Sequence, residues 1–321
     1  MKITILDDYQ NVIAQLKCFN LLKGKNVEIL HETIKDTDKM AFQLKETEIL
    51  VLTRERTEIS EALLSKLPKL KLISQTGKIS NHLDLNSCTK FNVAVAEGIG
   101  SPIAPAELAW ALLMNTVRQI PQAIEGMKAG KWQTNIGSTI NGKTIGIWGY
   151  GKIGQKIAQY AKAFDAKVLV WGSDNSRIKA VEDGFEQADS KDFFFKNVDI
   201  VTFHLRLNDN TIGIVKEDDL KKMKLGAAII NTARAELLEK NALLNVLKER
   251  QDILVGIDVY EDEPVYNSSH ELLKNSNVVC TPHLGYVERS GYELYFSKAF
   301  ENVINYIDGK PTNIANPHVI K

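Results

Sequence analysis

The chain has little that would tie it together covalently or carry it into a membrane. Three cysteines, Cys18, Cys88 and Cys280, occur in 321 residues, odd in number and far apart. Neither a disulfide framework nor a zinc cluster can be read from them, and a reducing compartment suits them. No run reaches the roughly 18 uninterrupted apolar residues of a membrane span. The first apolar run ends at Leu6 against Asp7 and Asp8, too early for the hydrophobic region of a signal peptide. A cytoplasmic protein is expected. Excess charge is missing too, since 40 Lys and Arg balance 40 Asp and Glu. Without a basic block the chain lacks the footprint of a nucleic-acid binder or of a protein drawn to anionic membranes. No internal repeat or low-complexity tract stands out. What remains is a globular composition, 44% hydrophobic and 25% charged, with length for two domains of about 150 residues. Small molecules or other proteins are the expected partners.

From residue 2 to about 97, short β-rich runs alternate with amphipathic stretches. The runs are 3–6, 27–30, 49–53, 70–74 and 93–96, and between them Ser60 is a candidate N-cap ahead of Leu63, Leu64 and Leu67. Alternation without hairpin signals points to a parallel sheet covered on both faces. The rhythm breaks in the Gly/Pro-rich segment Gly98 to Pro105. Pro105 then fits the first position of a long helix whose apolar face would be Leu108, Ala111, Leu112 and Val117. A second βα series follows, with strands at 144–148, 167–171, 200–204, 227–231, 254–258 and 278–281. The stretch 289–307 reads as one helix with Leu294, Tyr295, Ala299, Val303 and Tyr306 apolar.

The run 144–148 enters Gly149-Tyr-Gly151-Lys152-Ile153-Gly154, followed by a helical pattern through Ile157, Ala158, Ala161 and Phe164. This is G-x-G-x-x-G between a strand and a helix, the context in which it binds a dinucleotide. The first glycine allows the turn, the second admits pyrophosphate to the backbone, the third lets helix and strand pack, and the helix N-terminus offers free N–H groups. NAD binders usually place an acid at the end of the next strand to hold the ribose diol. Here Trp171 is followed by Gly172, Ser173, Asp174 and, slightly later, Arg177. Glycine weakens the repulsion that excludes a 2′-phosphate, and Ser173 and Arg177 could meet one. Asp174 argues the other way if it reaches the ribose, so NAD and NADP both stand.

Three further segments fall at the carboxyl ends of expected strands: Asn231-Thr232-Ala233-Arg234, Asp258 to Glu263-Pro264, and Thr281-Pro-His283-Leu-Gly285. With the glycine motif they resemble the D-isomer-specific 2-hydroxyacid dehydrogenase family, and the resemblance runs from the first strand to the last helix. It implies that His283 is the acid/base, Glu263 its carboxylate partner, and Arg234 the group that binds the substrate's carboxylate and carbonyl oxygen. The residue types suit that chemistry. Imidazole titrates nearest neutrality, a carboxylate beside it favours the imidazolium, and a guanidinium grips a carboxylate by two parallel bonds. The resemblance also makes Asp258 the acceptor for the nicotinamide carboxamide. Leu205, Arg206, Thr232, Ala233 and Gly285 would border the cofactor, and the amides of Gly77, Lys78 and Ile79 would bind the substrate carboxylate. Taken singly each has a plainer reading, a loop histidine, a solvated turn carboxylate, a surface arginine. Their joint occurrence with the dinucleotide turn favours the functional one. Four positions depart from the family pattern: Lys78 in the substrate turn, Arg206 for proline, Ala235 for glycine, and Tyr286 for a small residue.

The expected architecture is α/β, with two doubly wound parallel-sheet domains. A Rossmann-type dinucleotide-binding domain at 99–286 is inserted in a discontinuous flavodoxin-like substrate-binding domain at 1–98 and 287–321, and the active site lies in the cleft between them. The implied activity is NAD(P)-dependent interconversion of a D-2-hydroxy acid and its 2-keto acid. Members named for phosphoglycerate, glycerate, glyoxylate and lactate share the scaffold, and no metal is called for. The alternative is a dinucleotide-sensing scaffold like the family's corepressors. A homodimer is expected through the helix after Pro105 and its surroundings, where Trp110 and Trp132 lie. No C-terminal regulatory module is expected beyond Lys321. Arg54, Lys78 and Arg206 could read a second anionic group on the substrate unless Glu55, Glu58 or Asp84 neutralise them.

Overall fold

The computed structural model describes residues 1–320; Lys321, the last residue of the expected first domain, lies outside them. The chain divides into two compact units, Met1–Ser101 with Glu288–Lys321, and Pro102–Val287. These borders fall slightly later than the composition break implies, for a local reason. Glu97 N–H donates to the Asn313 carbonyl, the Asn302 amide donates to the Glu97 carbonyl, and Ser101 N–H donates to the Tyr295 hydroxyl, so 97–101 stays with the first unit.

In the first unit, strands β1 (Lys2–Ile5), β2 (Asn26–Ile29), β3 (Ile49–Leu52), β4 (Leu72–Gln75) and β5 (Ala94–Ala96) form one parallel sheet in the order β2-β1-β3-β4-β5. Central strands β3 and β4 are buried throughout, as a sheet covered on both faces requires. Helices α1 (Thr37–Leu44), α2 (Glu61–Leu64) and α3 (Leu85–Lys90) connect them. Each starts on a capping side chain: Asp36, Ser60 and Asp84 accept N–H groups of the first turn, which typically stabilises a helix by about 1 kcal/mol.

The second unit opens with α4 (Ile103–Arg118) and α5 (Ile120–Lys128). Helix α4 starts two residues before Pro105, so the proline sits inside the first turn, where its missing N–H costs nothing. Its buried stripe is Ala106, Ala109, Leu112, Leu113, Thr116 and Val117, whereas Ala111 is exposed and Leu108 half-buried. Packing of the helix against both the sheet and a neighbouring helix shifts the face from the expected one. Then follow β6 (Thr144–Trp148), α6 (Lys152–Ala163), β7 (Lys167–Trp171), α7 (Asp174–Glu182), β8 (Glu186–Gln187), α8 (Lys191–Asn197), β9 (Ile200–Phe203), α9 (Glu217–Lys221), β10 (Ala228–Asn231), α10 (Ala242–Glu249), β11 (Leu254–Ile257), α11 (Glu271–Lys274) and β12 (Val278–Cys280).

All seven strands are parallel, ordered β12-β11-β10-β9-β6-β7-β8. Strand order reverses between β6 and β9, the place where such sheets open a crevice at their carboxyl ends. One face buries Trp148 among Phe194, Phe195 and Phe203, and the other packs α4 and α6.

The last helix, α12 (Arg289–Ile307), belongs to the first unit. Its Tyr292, Phe296 and Phe300 stack in series and meet Phe19, and its Ala299 carbonyl accepts the Ser74 hydroxyl of β4 at 2.8 Å. Leu294, expected on the apolar face, is exposed. Among the described residues no helix is long and apolar enough to cross a membrane.

Candidate active site

The carboxyl end of β6 leads into the glycine turn. Gly149 has φ +102°, and a Cβ there would stand 2.7 Å from the His204 carbonyl oxygen, so only glycine fits. A Cβ at Gly154 would collide with the Gly149 carbonyl, whereas nothing lies near Gly151, which caps α6. The turn is thus tight on its protein side and open at the helix N-terminus, the shape that a pyrophosphate needs. Lys152 is exposed there, Ile153 is half-buried, and Leu205 lies against Gly149.

The end of β7 is held to this turn by Gly149 N–H donating to the Trp171 carbonyl at 3.0 Å. Gly172 follows, and the Ser173 hydroxyl caps α7 by accepting Ser176 N–H. The Asp174 carboxylate is exposed. It pairs with Arg177, whose guanidinium lies 5.0 Å over the Trp171 ring.

At the ends of β11 and β12 the geometry is tighter. His283 Nδ1 and Glu263 Oε2 are 2.6 Å apart, and Glu263 Oε1 accepts Tyr260 N–H at 2.9 Å, which fixes the carboxylate in place. His283 has φ +52°, a left-handed conformation uncommon outside glycine. The fully buried Asp258 holds it there, one carboxylate oxygen taking the Thr281 hydroxyl at 2.6 Å and Leu284 N–H at 2.7 Å, the other taking Gly285 N–H at 2.9 Å. Burial raises the Asp258 pKa, with the Thr281 hydroxyl, the loop amides and the His283 charge pulling the other way. Tyr286 meets the His283 ring edge-on, 5.4 Å between centroids.

Arg234 leaves the end of β10 through a turn clamped by Asn231, whose side-chain oxygen accepts Ala233 N–H at 3.0 Å and whose amide donates to the Arg234 carbonyl at 2.9 Å. Thr232 and Ala233 are half-buried on this turn. In the first unit, the Gly77 turn follows β4. Gly77 is buried under the Arg54 guanidinium, while Lys78 is exposed and forms an ion pair with Glu97 at 2.8 Å. Ile79 N–H, expected to be open to substrate, instead donates to the same Glu97 carboxylate at 3.1 Å. Local neutralisation of Lys78 therefore comes from Glu97 and not from Glu55, Glu58 or Asp84, because β5 delivers Glu97 beside the turn.

The model of the D-isomer specific 2-hydroxyacid dehydrogenase NAD binding domain matches residues 110–285. The chain belongs to this family. A glyoxylate reductase of Thermococcus litoralis is 33% identical over 289 residues, 87% of this chain and 86% of that protein. A D-3-phosphoglycerate dehydrogenase of Archaeoglobus fulgidus is 28% identical over 302 residues, 93% of this chain but only 57% of that longer protein. The solved structure of a phosphoglycerate oxidoreductase from Vibrio cholerae o395 superposes with a TM-score of 0.94 at 49% identity, covering 96% of this chain and 99% of the other. This dehydrogenase is thus an oxidoreductase that interconverts a 2-hydroxy acid and a 2-keto acid with a nicotinamide dinucleotide.

Within its nucleotide unit the dehydrogenase gathers His283, Glu263 and Asp258 at one sheet end, with Gly285 on the same loop. Arg206 is exposed, and its carbonyl accepts the Thr211 hydroxyl. The motifs assign no supporting role to Asn231, Tyr260 and Thr281, which fix the turns around Arg234, Glu263 and Asp258, and no place to Glu97, whose carboxylate occupies Ile79 N–H and Lys78. Asn231 alone had a local signal, an asparagine closing a strand two residues before a turn amide.

His204, at the end of β9, is half-buried and bonds Thr202 at 3.0 Å. Burial pushes its pKa down from 6.5 to about 3. The folded state holds the ring neutral while the unfolded chain protonates it, so stability present above the ordinary histidine range is lost as pH falls towards 3. The urea midpoint should drop between pH 7 and 5, and His204→Gln should shrink that drop. Equal drops in both proteins would assign the loss to other groups.

Proposed function

We propose that His283 exchanges the proton of the substrate's C2 oxygen, that Glu263 stabilises its charged form, and that Arg234 grips the substrate carboxylate. The observation carrying this reading is the 2.6 Å contact between His283 Nδ1 and Glu263. With the carboxylate accepting from Nδ1–H, Nε2 of the neutral ring is left to accept a proton. In oxidation Nε2 takes the hydroxyl proton while the C2 hydrogen leaves as hydride, and the imidazolium formed lies against Glu263. In reduction the same imidazolium returns the proton to the carbonyl oxygen, which a guanidinium can polarise. The bound nicotinamide supplies the hydride acceptor or donor. Asp258 helps hold His283 in its left-handed conformation, and its Oδ2, which takes only Gly285 N–H, would be the acceptor for a carboxamide. Gly149, Gly151, Lys152, Ile153 and Gly154 would hold the pyrophosphate, and the Gly77–Ile79 turn a substrate oxygen.

For the cofactor we propose NADP(H). No acid follows β7 at Gly172, Asp174 is turned to Arg177, and the Ser173 hydroxyl with the Arg177 guanidinium offers donors at the N-terminus of α7. We propose a cytoplasmic location, which suits three free thiols. A homodimer is also our proposal. Ile124, Met127, Trp132 and Ile136 are exposed in α5 and just beyond it, Trp132 by 76%, apolar side chains that a second copy could cover. Trp110 is less available, being stacked on Tyr160 and Phe164.

A panel of 2-keto acids with NADH and NADPH tests the activity, and oxidation of neither cofactor would leave the scaffold reading. His283→Ala should lower kcat by roughly 10²-fold or more with cofactor affinity changed only a few-fold; near-normal turnover would remove the histidine from the mechanism. Arg177→Ala should raise KM for NADPH by about tenfold and leave KM for NADH within about threefold, as loss of a charge-assisted phosphate contact predicts. Equal effects on the two cofactors would overturn the NADP(H) assignment. Sedimentation at micromolar concentration should give a dimer, and Trp132→Asp a monomer; a monomeric wild type rejects the interface.

A further inference from the structure

In the first unit one carboxylate already sits where a substrate carboxylate is expected. Glu97 Oε1 accepts Ile79 N–H at 3.1 Å, and its Oε2 lies 2.8 Å from the Lys78 ammonium. These are two of the groups that the turn would offer an acid. Glu97 does not reach them by chance rotation of a loose loop. Its own N–H donates to the Asn313 carbonyl at 2.9 Å, its carbonyl accepts the Asn302 amide at 3.1 Å, and the next residue, Gly98, donates its N–H to the Gly77 carbonyl at 2.8 Å. A Cβ at Gly98 would run into the backbone of 75–77, so glycine lets the exit of β5 press on the turn and hold Glu97 over it. Burial opposes the charge on Glu97, but Lys78 and the Ile79 amide outweigh it and keep the carboxyl below its usual range, so it is an anion at neutral pH.

We propose that Glu97 is a resident competitor for the substrate's carboxylate, a residue that sets substrate affinity because it must leave Ile79 N–H and Lys78 before a 2-keto acid can use them. The inference rests on the reading of Gly77–Ile79 as a substrate-binding turn. A keto acid replaces one carboxylate by another on the same donors, so its net gain at this turn is small and its binding depends on contacts made elsewhere. Displacing Glu97 raises KM for all carboxylate substrates and leaves the chemical step unaltered. The backbone bonds at 97 and 98 do not involve the Glu97 side chain, so its removal leaves the turn anchored.

The test measures kcat and KM for glyoxylate and pyruvate, with the Ki of oxalate, in Glu97→Gln, Glu97→Ala, Lys78→Met and the double variant Glu97→Ala/Lys78→Met. Glu97→Ala should lower KM and Ki by about fivefold to tenfold with kcat unchanged, the scale of a charge-assisted contact released. Glu97→Gln, which keeps an acceptor but no charge, should give a smaller fall, and adding Lys78→Met to Glu97→Ala should return KM upward. A rise of KM in Glu97→Ala, with Lys78→Met also raising it, would mean that Glu97 only shapes a turn that does bind substrate; the competitor is then wrong and the turn reading survives. No change of KM or Ki in any variant would place the carboxylate elsewhere and overturn both.

Discussion

The buried carboxylate of Asp258 is the interaction on which the loops at the carboxyl ends of β11 and β12 depend. It is fully enclosed, and accepts one hydroxyl and two backbone N–H groups from Thr281, Leu284 and Gly285. A buried acid in that position is tolerable only because its oxygens are satisfied, and the same satisfaction fixes the loop that carries His283. Without those three bonds the left-handed backbone at residue 283 has no counterweight, and the 2.6 Å approach to Glu263 loses its geometry.

Parallel β-structure decides why these groups meet. Each strand of the seven-stranded sheet ends on the same side, so the turns after Trp148, Trp171, Phe203, Asn231, Ile257 and Cys280 converge although they are spread over more than a hundred residues of chain. The reversal of strand order between β6 and β9 leaves room beside the glycine turn, and the His204 carbonyl crowds Gly149 on the protein side. Chemistry then needs only single side chains on turns that a rigid sheet already positions.

The chain is neutral overall, and three of its cations near the functional turns have a local acid beside them. Lys78 goes to Glu97, Arg177 to Asp174, and Arg54 has Glu55 at 3.8 Å. Such pairs contribute little stability while exposed to water. Their consequence is for recognition, because an anionic ligand entering there exchanges one partner for another instead of meeting an unpaired charge.

Hydrophobic period alone laid out nearly all of both sheets. Eleven strands fall where alternating or continuous apolar runs put them, within a residue or two, and α12 occupies the stretch 289–307. The exception is β8, two exposed polar residues at a sheet edge, Glu186 and Gln187, which carry no apolar signal. The face of α4 was misread because it packs against both sheet and helix, which a single-stripe pattern does not encode. The glycine turn could be read from its G-x-G-x-x-G pattern between strand and helix, and His283, Glu263 and Arg234 were picked out by the family resemblance of their segments. Their supports were not. Asp258 reaching across 27 residues to Gly285, and Glu97 reaching back 18 to Ile79, are bonds between loops whose proximity exists only once strand order and register are set. Local sequence determines which segments become strands and which side chains can do the chemistry. Only the tertiary structure decides which carboxylate faces which amide, because that depends on distances across a sheet and not along a chain.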